Sequence, residues 1–252
     1  MKKNNKKINA AILIVGNEIL SGRTQDLNVS FISNWLNLKC GISTKEVRII
    51  PDVEKIIVKN ILDLSKKFNY VFSTGGIGPT HDDITSKSIS KAFKVKYEYH
   101  SEAYQILIDY YGKKKFNDGR KKMAKMPRGS SLIYNPSSAA PGFKIKNIFC
   151  LPGVPIILKS MLPNISKYLD KGSVVISKSI SLHTVESNIA LQLGRIQKKF
   201  NNKVDIGSYP FFRLGKVGVS IVLRTSSKSI LNKCLLDVKK MVKKKKIKLF
   251  KR

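Results

Sequence analysis

Acidic residues are scarce in this chain: 16 Asp and Glu stand against 48 Lys and Arg, for a formal net charge of +32. Such a field attracts polyanions, so a nucleic-acid partner has to be weighed. Arginine is scarce too, at eight residues (23, 48, 120, 128, 195, 213, 224 and 252), although Arg is the side chain suited to bidentate phosphate and base contacts. The lysines are spread along the chain rather than gathered into one stripe. Both features speak against nucleic acid and for a solvated basic surface that draws in a small phosphorylated ligand.

Cysteine is nearly absent. Cys40, Cys150 and Cys234 are far apart and odd in number, and no CxxC or Cys/His cluster exists, which argues against a structural zinc site and a disulfide framework. Free thiols in a reducing cytoplasm are the expectation. Long apolar runs are missing as well. No run approaches the ~20 residues of a spanning helix, so no membrane segment is expected. Ala10 to Val15 follows four lysines but is too short for a signal peptide, and Glu18 comes next without a small-residue cleavage site. What is present is a chain of 252 residues, 42% hydrophobic, enough for a real core in one large or two smaller domains.

Residues 8 to 95 alternate strand and helix. Ala10 to Val15 reads as a buried strand ending at Gly16, and Asp26 or Asn28 can cap a helix facing inward through Val29, Ile32, Trp35 and Leu36 until Gly41. Ile42 to Ile50 is a second strand. Ile57, Ile61, Leu64 and Phe68 mark a helix, Tyr70 to Ser73 a third strand, and a third helix is expected from about His81 to Phe93. This order predicts an α/β domain with a mostly parallel sheet covered by helices on both faces, in three layers. Near Asp170 the pattern changes to β-α-β-β-α, which suggests a second, small α+β domain. The boundaries expected are 1–170 and 171–252, with Lys243 to Arg252 a frayed basic tail.

The chemistry points to Gly75-Gly76-Ile77-Gly78-Pro79-Thr80-His81-Asp82-Asp83-Ile84-Thr85. A glycine turn between a strand end and a helix start is where phosphate meets free backbone N–H groups. The Walker A pattern and the dinucleotide fingerprint are both absent. Two aspartates there would repel bare phosphate unless a divalent cation bridged them, and hard oxygen ligands favour Mg²⁺ or Mn²⁺. Glu18 and Asp52 also follow predicted strands, so with Asp83 they can converge on one crevice, where ligands of such sheets sit.

Gly16-Asn17-Glu18-Ile19-Leu20-Ser21-Gly22, Asp26 and Asn28, Pro51-Asp52 and the glycine run together resemble the molybdopterin-binding domain superfamily, in particular the amino-terminal part of the competence/damage-inducible protein A family. Asn135-Pro136, Ala140-Pro141-Gly142-Phe143, Leu151-Pro152-Gly153-Val154-Pro155 and Gly207-Ser208-Tyr209-Pro210 extend the likeness over about residues 8 to 225. The resemblance implies a crevice that holds a pterin such as molybdopterin, or a nucleotide, by its phosphates. It also implies a hydrolase reading, metal-dependent cleavage of a nucleotide diphosphate such as ADP-ribose or FAD with Mg, Mn or Co; adenylyl transfer to molybdopterin or binding without turnover are the alternatives. Asp83 and Asp52 would be metal ligands or orient water, with Glu18 supporting both the catalytic and the metal role. Gly75, Gly76, Gly78 and Thr80 would cradle phosphate, while Asp26, Asn28, Ser137, Ser138 and Gly153 would shape the pocket. A further domain that deamidates nicotinamide mononucleotide lies beyond the matched part of that family, so its activity is not carried over. Ser138-Ala139 replaces the family's Gly-Thr, which changes one ligand-facing turn.

Other features read as plainer structure. His81 is a helix-start residue, and His100 and His183 have no sequence partners. Tyr97, Tyr99, Tyr104, Tyr110 and Tyr111 interleave with lysines as a nucleic-acid stacking surface would, but cover for a hydrophobic edge or a subunit contact is the preferred reading, in line with an expected homo-oligomer. Gly215-Lys216-Val217-Gly218 fits GXXG yet lies between two predicted strands and reads as a hairpin turn.

Overall fold

The computed structural model describes residues 8–170, 172–201, 203–213 and 215–250. The amino-terminal lysines, residue 171 at the expected boundary and the last two residues of the basic tail lie outside the described residues. The chain forms two compact units divided after Gly172.

The first unit begins with β1 (Asn9–Val15), a short helix α1 (Asn17–Leu20) and α2 (Asn28–Trp35). A π-helical turn at Leu36–Cys40 ends α2's run at Gly41, whose φ of +69° suits a residue without Cβ. Then come β2 (Ser43–Ile50), α3 (Glu54–Lys67), β3 (Tyr70–Thr74), α4 (Thr85–Ala92), β4 (Tyr97–Tyr99), α5 (Ser101–Tyr111), α6 (Asp118–Lys122) and β5 (Lys125–Pro127). Strands β6 (Ser131–Ile133), β7 (Gly142–Ile145) and β8 (Ile148–Leu151) precede α7 (Pro155–Ile165).

Six strands make one sheet in the order β2-β1-β3-β8-β7-β6. The first four are parallel, and β7 runs against both of its neighbours. Period-two alternation on β1 explains the layering. Ala11, Leu13 and Val15 face the α3–α4–α5 side with Ile57, Ile61, Leu64, Ile89 and Leu107. Ala10, Ile12 and Ile14 face the α2–α7 side with Ile32, Leu36, Leu158 and Met161. The fold is therefore an α/β three-layer sandwich on a mostly parallel sheet. The registers Val15↔Ile50, Ile14↔Thr74 and Thr74↔Leu151 bring the carboxyl ends of β2, β1, β3 and β8 level along one edge.

Two local expectations are corrected. The helix after the glycine run starts at Thr85 rather than His81, because Pro79 and the Thr80–Asp83 turn hold residues 77 to 84 as a loop. Residues 96 to 127, whose sequence shows only an aromatic helical stretch around Tyr104 to Tyr111 and a basic run from Lys113 to Lys125, also carry a separate two-stranded ladder, β4 on β5.

The second unit is the small α+β domain: β9 (Ile176–Leu182), α8 (Ala190–Phe200), β10 (Asp205–Arg213), β11 (Lys216–Thr225) and α9 (Lys228–Lys244). Its antiparallel sheet runs β10-β11-β9, and Leu193, Leu231, Cys234 and Val238 pack against Leu182, Val219, Ile221 and Leu223. Gly215, with φ +71°, precedes β11 at the hairpin. The tail is not frayed up to Phe250. Leu249 bridges Leu182, the Phe250 amide donates to Ser181 and the His183 amide donates to Lys248. An open strand edge explains this pairing.

All three cysteines are buried and free, and burial raises the thiol pKa of each, that of Cys234 to about 11. Among the described residues, no helix is long and apolar enough to cross a membrane.

Candidate functional site

The level edge of β2, β1, β3 and β8 places Asp52 after β2, Glu18 after β1, the glycine loop after β3 and Gly153 after β8. The main chain ties these exits together: Gly16 N–H donates to Ile50 and Gly75 N–H to Leu151, at 3.1 Å each. Gly75 has a φ of +94°, and a Cβ built on it would strike the Val15 carbonyl. A Cβ on Gly153 would lie 3.4 Å from Gly75 Cα. Glycine is required at Gly75, while a Cβ on Gly153 would make only an ordinary contact.

Asn28 binds the exits from below. It is 4% exposed, and its Nδ2 donates to Thr74 Oγ1 at 3.2 Å and to the Gly153 carbonyl at 2.7 Å. Its Oδ1 is buried with no protein partner, as is Thr85 Oγ1. The Thr85 hydroxyl lies directly under Gly76, where a Cβ would collide with it. Buried polar atoms without partners are rare and call for a ligand or water.

The carboxylates sit around this floor. Asp52 is half-buried, and its Oδ2 accepts from Asn17 N–H at 2.8 Å. Burial pushes its pKa up; that hydrogen bond opposes the rise, and the charges of Glu18, Asp82 and Asp83 reinforce it. Asp83 Oδ2 accepts from the Thr80 amide at 2.8 Å and from the Thr80 hydroxyl, and it lies so close to Gly78 that a Cβ there would be 2.7 Å away. Asp83 thus also shapes its own loop. Asp82 is held below the usual carboxylate range, first by the Thr80 hydroxyl it shares with Asp83 and then by its own amide. Glu18 is exposed, its Oε1 only 2.5 Å from where a Gly16 Cβ would be. Tyr97 is near enough to feel Asp83, and burial above all pushes its pKa up to about 12.

Among the described residues, no three His, Cys, Asp or Glu side chains are placed to hold a metal ion by themselves. Glu18 and Asp83 share one rim with Asp52 and their charges bear on it, without the three forming such a cluster among the described residues.

The remaining pocket residues divide. The N-cap of α2 is Leu27 rather than Asp26 or Asn28, and Asp26 just before it accepts from the first-turn amides of Asn28 and Val29 at 3.3 and 3.0 Å. Ser137 and Ser138 lie beyond β6; their amides donate to Asn135 Oδ1, and the Ser137 hydroxyl to Ser160 on α7. Their hydrogen bonds do not reach the glycine loop. Ala139 in the same turn has a left-handed φ of +62°. Three contributors were not singled out in the sequence: the Asn17 amide, Thr85, which stands in the glycine motif, and Lys122, whose Nζ donates to the Thr80 carbonyl. Lys122 stands in the stretch from Lys113 to Lys125, rich in basic residues, which is the one sequence signal that could have found it.

The family model described as "Probable molybdopterin binding domain" matches residues 11–171. The chain belongs to the molybdopterin-binding domain family. A model of the FAD synthase middle domain matches residues 174–251. A protein of Archaeoglobus fulgidus is 33% identical to this family member over 199 residues, covering 79% of this chain and 84% of that one. A CinA-like protein of Prochlorococcus marinus is 30% identical over 95% of this chain, which spans 57% of that relative's length. The crystal structure of the protein CinA, of unknown function, from Thermoplasma acidophilum superposes with a TM-score of 0.60 at 32% identity, covering 65% of this chain and 98% of that one. The molybdopterin-binding domain and its glycine loop thus belong to an α/β scaffold seen in a homologous crystal structure.

Proposed function

We propose that the first unit binds a nucleotide or pterin through its phosphates and hydrolyses a nucleotide diphosphate of the ADP-ribose or FAD kind. One observation carries the reading: a close-packed glycine loop, with the buried Asn28 Oδ1 and Thr85 Oγ1 lacking partners, lies beside Asp52 and the three carboxylates whose charges bear on it. Carboxylates are costly beside a site that merely binds an anion, but they serve a reaction that moves a proton. Water would attack one phosphorus, its proton would pass to Asp52 or Asp83, and the bridging P–O bond would break with its electron pair leaving on the departing phosphate. The raised pKa of Asp52 makes it a better proton acceptor near neutral pH than a free aspartate. Glu18 adds negative charge that helps keep this pKa high.

The donor set suits a divalent cation such as Mg²⁺, Mn²⁺ or Co²⁺ in one mode. Asp52 and Asp83 each take their amide hydrogen bond on Oδ2, and Mg²⁺ is commonly held by one or two carboxylates together with substrate phosphates. The bound cation would neutralise phosphate charge. Three buried free thiols agree with a reducing, cytoplasmic location.

Chromatography after incubation with ADP-ribose or FAD and each cation tests the reading. The wild-type chain is expected to release AMP, and Asp83→Asn, which keeps the shape and removes the charge, to lose at least about tenfold in rate. Hydrolysis by that variant at the wild-type rate would defeat the assignment. Binding without turnover is the second reading: Asp83 is engaged by the Thr80 amide and hydroxyl and so shapes its own loop. This reading predicts ligand-induced stabilisation, about 2.7 kcal/mol at 100 times Kd, with no AMP formed.

A further inference from the structure

Helix α6 is seated on the glycine loop. Gly119 meets Pro79 so closely that a Cβ would be 3.2 Å from the Pro79 carbonyl. Asn117 caps the helix by accepting from the Arg120 amide at 3.0 Å, and the Arg120 guanidinium lies 4.0 Å over the Tyr111 ring, anchoring α6 to α5. From this fixed base Lys122 reaches back across the loop. Its Nζ donates to the Thr80 carbonyl, the residue whose amide and hydroxyl hold Asp83. It also acts on Asp82 electrostatically.

An ammonium has three N–H donors, and the Thr80 carbonyl takes one. A cation thus stands on the rim that otherwise carries Glu18, Asp52, Asp82 and Asp83. One phosphate can rest on backbone amides of the glycine floor. A second phosphate would meet the carboxylates and needs a positive charge beside the loop.

We propose that Lys122 selects a diphosphate over a monophosphate ligand by contacting the second phosphate from α6. The inference rests on the phosphate-binding reading of the loop and names the substrate class more narrowly.

Calorimetric titration of the full chain with AMP and with ADP-ribose, in EDTA so that no divalent cation supports turnover, tests it. Lys122→Met keeps the aliphatic stem and removes the charge; it is expected to weaken ADP-ribose binding at least about tenfold and AMP binding less than about threefold, at an unchanged melting temperature. Lys122→Arg should restore most of the difference. Equal loss for both ligands, or loss that tracks a fall in melting temperature, would make Lys122 a loop tie only and overturn the proposal. So would unchanged binding of both. If the wild-type chain binds neither ligand, the phosphate-site reading itself fails and the proposal falls with it, an outcome distinct from loss of discrimination alone.

Discussion

The carbonyl oxygen of Val15, the last residue of β1, stands where any side chain on Gly75 would begin. Two adjacent strand exits therefore touch through backbone alone, and the glycine loop leaves the sheet flush with its edge. Gly75→Ala must both hold a left-handed φ and push β1 from β3. We expect a loss of about 3 kcal/mol or more in urea unfolding, combining backbone strain with a steric clash. Gly22 is the control: its φ is +73° but nothing lies within 4 Å of its would-be Cβ, so Gly22→Ala should cost only about 1–2 kcal/mol. Equal costs at the two positions would refute the close approach.

Asp52 gives a pH-dependent prediction with a definite sign. Its folded pKa is raised above the ordinary carboxylate value, chiefly by burial and further by Glu18, Asp82 and Asp83. The folded chain therefore holds this proton more tightly than the unfolded chain, and the Asp52 contribution to stability falls as pH rises from the ordinary value through the raised one. Asp52→Asn keeps an acceptor for the Asn17 amide and stays uncharged. It should be more stable than wild type at pH 7, lose that advantage near pH 3, and be impaired in hydrolysis. A variant less stable than wild type at pH 7 would count against the electrostatic account.

Much of this was legible in the sequence where information is local. Alternation on Ala10 to Val15 and the Ile57, Ile61, Leu64 spacing report which face is buried, and Gly41 marks where a helix must stop. Strand order also places Glu18, Asp52 and the glycine run at one edge, since every exit of a parallel strand points the same way. What escaped depends on partners remote in sequence. Tyr97–Tyr99 and Lys125–Pro127 are three-residue strands whose identity exists only in their mutual pairing. The start of α4 was displaced by side-chain turns at Thr80 and Asp83 that compete with the helix. Asn28 looked like a ligand-facing residue, while its amide group binds Thr74 and Gly153, 46 and 125 residues away.

That long-range role makes Asn28 a second structural test. Asn28→Ala leaves Thr74 Oγ1 and the Gly153 carbonyl without their donor, in a place water reaches poorly. The expected loss is about 2–3 kcal/mol, one for each hydrogen bond plus incomplete resolvation. Asn28→Asp removes the donor and buries a charge, so it should be worse still. If Asn28→Ala proves nearly neutral while ligand binding is lost, the residue serves ligand contact rather than the joining of strand exits.

The edge of β9 opposite β11 carries the last prediction. The Phe250 amide donates to Ser181 at 2.8 Å, the His183 amide to Lys248 at 2.9 Å, and the Phe250 ring stacks on His183 at 4.0 Å between centroids. Two backbone hydrogen bonds at about 1 kcal/mol each and a ring contact of about 0.5–1.5 kcal/mol make the segment a stabilising cover. Deleting residues 247 to 252 should lower the stability of the second unit by about 2–3 kcal/mol and speed hydrogen exchange at the His183 amide. It should also uncover a strand edge able to pair with another chain, read as concentration-dependent association in sedimentation. Phe250→Ala should lose only the ring contribution and keep the His183 amide protected. If the deletion leaves that amide as slow to exchange as before, the tail does not pair with β9.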